Sequence, residues 1–344
     1  MNTNPKTDEV HERITSQIIA SLEEGLIDPA NWKAPWTAGA DVFSPINVLT
    51  ERAYTAGNRF ILAINSMMTD TTPYWGTYNQ WAAMTTHSQA CRDERYIKPK
   101  DTYAKATTVR CAVLECEAVH VRKGEHAMET LLRPVFRKER NDAGLEVEKL
   151  VGFTAFKVFN SVQIEGWTPP PVETFEHPAD VQEDCAAAFA WADVIGAEVR
   201  EDSQGNRAAF APKEDYIIMP SRDRWAEPDQ LWSTMAHECT HWSGHPDRLD
   251  RHLLHAIVKG EQYERSDYAF EELIAELSAA FTLAALGRST TPRDDHVEYI
   301  GGWLKILKED NKAIWRAASK AQRASGYLLA RHTANTAAKE LANA

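Results

Sequence analysis

The chain has 344 residues, 43% of them apolar and 26% charged, with a net charge of −12. That length suffices for two cores, and the composition excludes a disordered or fibrous protein. No run reaches the roughly 18 apolar residues of a spanning helix, and the start MNTNPKTDEVHER lacks the apolar stretch of a secretory signal. In chain order, residues 10–24 place Ile14, Ile18 and Leu22 at helical spacing and stop at Gly25, which predicts a first helix. An aromatic and proline cluster follows (Trp32, Pro35, Trp36), then a second helix over 58–68. A dense aromatic patch over 74–81 opens a third. From Thr107 the pattern turns to strands, predicted at 109–121, at 129–138 after the turn Lys123-Gly124, and at 152–159.

The segment 166–173 holds Pro169, Pro170 and Pro171, which neither a helix interior nor an inner strand accommodates, so it reads as a stiff connector. Beyond it come a helix over 179–195 and short strands at 197–200, 207–211 and 216–219. Helices are predicted over 229–243, 267–286, 294–309 and 311–324. The last of the short strands, over 216–219, is a candidate edge along which an extended peptide would lie. The expected fold class is α+β with two domains. Residues 1–166 form a small α+β domain, 167–175 a proline-rich linker, and 176–344 a mostly helical domain with a small sheet.

Charge divides unevenly. Residues 1–170 carry 19 Lys+Arg against 21 Asp+Glu, and the remainder 19 against 29. An acidic chain does not coat nucleic acid by charge alone, although a local basic groove in the near-neutral first half is compatible with these numbers. The five cysteines (Cys91, Cys111, Cys116, Cys185, Cys239) are odd in number and lack CxxC spacing. They read as the reduced thiols of a cytoplasmic protein.

The chemistry concentrates in His237-Glu238-Cys239-Thr240-His241, an HExxH sequence within a predicted helix. Four helical residues advance one turn plus about 40°, so both imidazoles leave one face and can share an ion. Glu238 is placed to act as general base on a metal-activated water without ligating the metal. The third ligand is sought in Glu271-Glu272-Leu273-Ile274-Ala275-Glu276. The arrangement resembles the gluzincin pattern, in which the first carboxylate binds metal and the acid one turn later orients a ligand histidine. Glu272 is the favoured ligand; Glu276 is a second-shell group or alternative ligand. Asp247 is a further alternative, because Gly244 and Asp247 stand where metzincins turn the chain and place a third ligand. His245 is a candidate stabiliser of the tetrahedral intermediate, and His252 and His255 are expected to face solvent. Two histidines and a carboxylate suit Zn²⁺, with Mn²⁺ or another first-row divalent ion also compatible.

Over roughly residues 10–330 the chain resembles the ArdC-type antirestriction proteins of plasmids and phages. The resemblance rests on Met219-Pro220, HECTHWSGH with Arg248-Leu249-Asp250-Arg251, EELIAEL, and Tyr299-Ile300-Gly301-Gly302-Trp303-Leu304. In the first half it rests on Trp32-Lys33-Ala34-Pro35-Trp36, Pro45-Ile46-Asn47, residues 74–80, Arg122-Lys123-Gly124-Glu125, and Val158-Phe159-Asn160 with Gln163. The stretch Tyr54-Thr55-Ala56-Gly57-Asn58 and the short turn Lys123-Gly124-Glu125-His126 depart from the family pattern. The resemblance implies an N-terminal domain that binds single-stranded DNA and a C-terminal zincin-like metallopeptidase.

Sequence-tolerant binding of single strands needs aromatic faces and nearby cations. Trp32, Trp36, Tyr74, Trp75, Tyr78 and Trp81 are the candidate stacking residues. Arg52, Arg59, Arg92, Arg95, Lys98, Lys100, Lys105, Arg122 and Lys123 are the candidate phosphate contacts. The expected function is that of a mobile element's antirestriction protein, binding single-stranded DNA and hydrolysing a peptide bond. Its partners would be single-stranded DNA and a protein of a restriction or host-defence system, with no membrane. The alternatives are a DNA-binding shield with a structural or vestigial metal site, and a metallopeptidase with no nucleic-acid role.

Overall fold

A computed structural model of the chain describes residues 5–27, 42–69, 71–86, 118–140, 145–170, 175–289 and 296–343. The chain folds as two compact units, one of Met1–Ile14 with Ser44–Val172, the other of Thr15–Phe43 with Glu173–Ala344. The expected first domain ran unbroken to residue 166, whereas residues 15–43 group with the second unit. Two contacts made by that stretch account for this. Thr15 Oγ1 donates to the Asn311 carbonyl at 2.8 Å, and Lys308 pairs with Glu23 at 2.7 Å.

In the first unit, a four-stranded sheet runs in the order β1-β2-β5-β4, from β1 (Ile46–Asn47), β2 (Tyr74–Gly76), β4 (Glu129–Arg140) and β5 (Glu146–Asn160). The β1–β2 pair is parallel and the others antiparallel. β3 (His120–Val121) pairs with β6 (Ile164–Glu165). The sheet carries α2 (Ala56–Met68), whose Phe60, Ile61 and Leu62 are buried. Asn58 ties that helix to β4: its amide donates to the Leu132 carbonyl at 2.7 Å and accepts from Leu132 N–H at 2.9 Å. The short α3 (Tyr78–Ala83) is started by a Thr77–Gln80 capping box. It inserts Trp81 beneath the sheet, where the indole donates to the Phe159 carbonyl at 3.0 Å. Gly76 is required there, since a Cβ would lie 2.8 Å from Val48. The predicted strand over 109–121 lies mostly outside the described residues. The β4–β5 hairpin is longer than its predicted strands because cross-strand pairs such as Lys149–Glu139, at 3.1 Å, carry the ladder outward.

In the second unit, β7 (Val199–Asp202), β8 (Ala209–Ala211) and β9 (Tyr216–Pro220) form a sheet of order β7-β9-β8. This corrects one expectation. β9 is the central strand, buried at Ile217 and Met219, and β8 is an edge. Helix α1 (Pro5–Ile27) is divided between the units at Ile14/Thr15. The sheet packs with α4 (Val181–Ile195), α5 (Pro228–Ser243), α7 (Arg265–Ala285) and α9 (Ala313–Asn343) around Trp191, Ile217, Met235, Leu283 and Leu328. α4 is capped by Asp180, which accepts from Glu183 N–H, and ends on left-handed Gly196. Asp184 is buried but satisfied by Arg288 and by the Trp232 indole at 3.0 Å. The chain adds α6 (His252–Lys259), which was not expected, and α8 (His296–Glu309). α9 continues well past the expected end at 324, because Leu328 and Tyr327 pack onto the core and carry the helix through Gly326. Among the described residues no helix is long and apolar enough to cross a membrane.

Candidate metal centre

α5 is buried continuously from Met235 to Ser243, an apolar stretch interrupted by polar groups that need partners. Its partners come from α7, which is buried from Glu271 to Ala284. His237 and His241 leave α5 one turn apart, and their Nε2 atoms face each other at 3.0 Å. From α7, Glu272 meets both, Oε2 lying 3.3 Å from His237 Nε2 and Oε1 3.4 Å from His241 Nε2. One ligand atom from each of the three residues falls within 4.8 Å of the others.

The outer nitrogens are held separately. His237 Nδ1 lies 2.8 Å from Glu276 Oε1, and His241 Nδ1 lies 3.2 Å from Glu271 Oε1. Glu276 therefore lies on the side of His237 away from the point where the three donor atoms converge. Glu271 was missed. It is also gripped by Arg251, whose Nε donates to both its oxygens at 2.9 and 3.0 Å, while Nη1 donates to Ser243 Oγ at 2.9 Å. The signal was present: a run of acids on an apolar helix has to be buried against something, and Arg251 stands twenty residues before Glu271.

The donors fit a divalent ion. The carboxylates of Glu238, Glu271, Glu272 and Glu276 are all buried, and of these Glu271 is paired with the guanidinium of Arg251. Glu272 Oε2 is buried with no hydrogen bond of good geometry, only His237 Nε2 beside it. Burial opposes a charge on His241, but the Glu272 and Glu271 carboxylates outweigh it and raise its pKa to about 10. Burial likewise opposes ionisation of Glu272, and His241 and His237 outweigh it, holding the carboxyl well below the usual range. The potential at the point of convergence thus favours positive charge.

Glu238 lines the same cleft of about 540 Å³, and its Oε2 accepts from Phe210 N–H at 2.8 Å. The edge strand β8 thereby fixes the acid next to His237. Leu253, Leu254 and Ile257 of α6 form an apolar wall, and Tyr268 and Tyr299 complete the lining. Burial, then the Glu272 carboxylate, push the Tyr268 phenol above its ordinary pKa; its hydroxyl contacts Tyr299 and Glu272. Tyr268 was also missed, although it stands four residues before Glu272 on the same helical face.

Two candidates are not brought to the convergence of donor atoms. Asp247 has an 85% exposed side chain and approaches only His245, 3.5 Å from its Nδ1. His245 is buried in the turn after α5, accepts from Asp247 N–H at 3.2 Å, and does not line the cleft. Gly244 does not serve a metzincin-like turn either. Its φ of −84° suits any residue, but a Cβ would lie 2.6 Å from the Arg251 guanidinium. The glycine makes room for Arg251. His252 is exposed, as expected, and His255 is half-buried against Asp250 at 2.7 Å.

The DNA-binding candidates separate as well. Trp75 and Trp81 are fully buried and Arg59 is 6% exposed, so these three are core groups and present no face to a nucleic acid. Burial lowers the Arg59 pKa to about 10. Tyr74 is half-buried edge-on to Trp167, at 5.1 Å between ring centres. Tyr78, Arg52, Arg122 and Lys123 are exposed, with Arg122 held by Glu125 at 3.0 Å. Trp32, Trp36, Arg92, Arg95, Lys98, Lys100 and Lys105 lie outside the described residues.

Comparison with known proteins agrees with this division. The N-terminal domain of anti-restriction factor ArdC matches residues 8–160, and a zincin-like metallopeptidase domain matches residues 186–320. The antirestriction ArdC protein of plasmid R388, solved metal-free, superposes with a TM-score of 0.66 at 28% identity, covering 94% of this chain and 98% of that one. The chain carries an ArdC N-terminal domain and a zincin-like domain, and matches the R388 ArdC protein across both. The Mn(II)-bound structure of the same R388 protein matches at a TM-score of 0.64 and 27% identity, with the same coverage. The protein y4eC of Sinorhizobium fredii (strain NBRC 101917 / NGR234) is 29% identical over 94% of this chain and 93% of its own length. A DNA primase TraC of Escherichia coli is 30% identical over 93% of this chain, which spans only 27% of that longer protein.

Proposed function

We propose that this chain is a cytoplasmic, divalent-metal-dependent peptidase joined to a domain that binds single-stranded DNA, and that it serves a mobile element by blunting restriction. The observation that supports the reading most strongly is the pairing of a closed His237–His241–Glu272 donor set with a buried, oriented acid, Glu238, in one cleft. A purely structural metal site has no use for that acid.

His237, His241 and Glu272 would hold Zn²⁺ or Mn²⁺, leaving a coordination position open. When bound, such an ion supplies a Lewis acid that lowers the pKa of a water toward ~7. Glu238 takes the proton of the attacking water and returns it to the departing amine. Phe210 N–H keeps that carboxylate aimed into the cleft. Tyr268 is positioned to donate a hydrogen bond to the substrate carbonyl oxygen as charge develops there. The edge strand β8 offers its backbone to an extended peptide, whose side chain would meet the wall of Leu253, Leu254 and Ile257.

The test is a restriction-protection assay in cells that receive unmodified DNA with wild-type protein or the Glu238→Gln variant. The reading requires protection to fall with Glu238→Gln. Equal protection would assign the effect to DNA binding and make the hydrolytic chemistry dispensable for it.

A further inference from the structure

The cleft that contains the donor set is floored by α5. Gln230, Thr234, Glu238 and His241 line it and follow one another at intervals of three or four residues, so they share one face of that helix. The chain leading into β8 runs beside this face and is pinned at two points. Phe210 N–H donates to Glu238 at 2.8 Å. Arg224, which precedes the start of α5, donates to the Gly205 carbonyl at 2.8 Å and to Asn206 Oδ1. Residues 205–210 therefore pass from the beginning of α5 toward the donor set. Arg207 falls between the two pins, within roughly 11 Å of Phe210 along the chain.

Arg207 is exposed, and among the described residues that line the cleft it is the one Lys or Arg. The two acids lining it, Glu238 and Glu272, stand at the donor set. Among the described residues no carboxylate pairs with Arg207, although the sequence around it is acidic. Asp202 accepts from Gln204 N–H at 2.9 Å, and Glu201 is paired with Arg222 at 3.1 Å. Glu227 and Asp229, at the start of α5, do not line the cleft. The acidic half of the chain thus sets an uncommitted guanidinium on the path to its own metal donors.

We infer that Arg207 determines specificity, receiving a carboxylate side chain of the substrate peptide two or three residues from the bond that is cut. The inference rests on the peptidase reading of the cleft and names the class of peptide it takes. An extended peptide advances about 3.3 Å per residue, so the distance from Phe210 to Arg207 corresponds to that spacing. The wall of Leu253, Leu254 and Ile257 accepts any aliphatic side chain. A guanidinium discriminates further, because its N–H groups pair with a carboxylate two at a time.

The probes are fluorescein-labelled nine-residue peptides of Gly and Ala with a central Leu, amidated at the C-terminus. One Asp, Asn or Lys is moved through the positions on either side of the Leu. Binding to full-length, Zn²⁺-loaded Glu238→Gln protein is read by anisotropy, and cleavage by loaded wild type by mass spectrometry. Asp peptides are expected to bind about two- to five-fold more tightly than their Asn counterparts, by a margin that shrinks as salt rises. Arg207→Glu in that background should move the preference from Asp to Lys, and Arg207→Lys should keep it for Asp. Cuts by wild type should fall two or three residues from the Asp. Equal binding of Asp and Asn peptides, or a preference that survives Arg207→Glu, overturns the assignment while hydrolysis by wild type stands. A preference that follows Arg207 without cleavage by wild type upholds Arg207 as the carboxylate receptor and overturns the peptidase reading. Neither binding nor cleavage overturns both.

Discussion

Arg251 reaches Glu271 only because residue 244 is glycine: a Cβ at Gly244 would lie 2.6 Å from the Arg251 guanidinium. The guanidinium and His241 Nδ1 share the same Glu271 oxygen, so this packing detail is one contact away from a proposed ligand. Gly244→Ala is expected to destabilise the second unit by about 1–3 kcal/mol through overpacking. Denaturant unfolding of the two proteins measures it. A neutral result would mean that Arg251 can retreat without loss.

Removing Arg251 itself should cost more. Arg251→Ala leaves Glu271 buried and unpaired beside His241, a change worth about 3–5 kcal/mol. The thermal midpoint of the second unit should fall by many degrees. Glu271→Gln keeps the shape and removes the charge, so it is expected to restore much of that loss in the double variant.

Glu276 lies on the outer nitrogen of His237 at 2.8 Å, away from the convergence of ligand atoms. Glu276→Gln should therefore retain one ion per chain but bind it about 10–100-fold more weakly. Competition against a calibrated chelator reads this directly. Complete loss of the ion would instead make Glu276 a ligand.

Tyr268→Phe leaves the three ligands in place and removes one hydroxyl from the cleft. The expected loss in kcat is about 10²-fold, with metal stoichiometry unchanged. An unchanged kcat would take Tyr268 out of the chemistry.

The role of Trp81 is decided by burial. Trp81→Ala should destabilise the first unit by about 3–5 kcal/mol, whereas Tyr78→Ala, at a position 44% exposed, should change stability little. Separate melting transitions for the two units would report both.

The metal centre was legible because its spacing is enforced by helix geometry: HExxH on α5 and Glu272 on α7 depend on one turn each. Glu271, Arg251 and Phe210 N–H were harder to foresee, since each acts through contacts set by how two helices and a strand edge pack. Asp247 shows the converse. It sits at a suggestive spacing after Gly244, yet the turn sends its side chain into solvent. In the first half, aromatic density was visible but burial was not, because a Trp-rich segment reads alike whether its rings pack inward or face outward. That Phe136 and Leu150 share a face of the β4–β5 hairpin could be read only once the register and the bulge between Val135 and Phe136 were known. The extension of α9 past 324 was missed for a similar reason: it depends on the tertiary packing of Tyr327 and Leu328 on the core.

The most direct test is calorimetric titration of metal-stripped full-length protein with Zn²⁺ and with Mn²⁺, comparing wild type, Glu238→Gln and Glu272→Ala. One ion should bind to wild type and to Glu238→Gln alike, and Glu272→Ala should lose most of that affinity. No binding to wild type, or binding that survives Glu272→Ala and vanishes in Glu238→Gln, would contradict the assignment of ligand and base on which the enzymatic account stands.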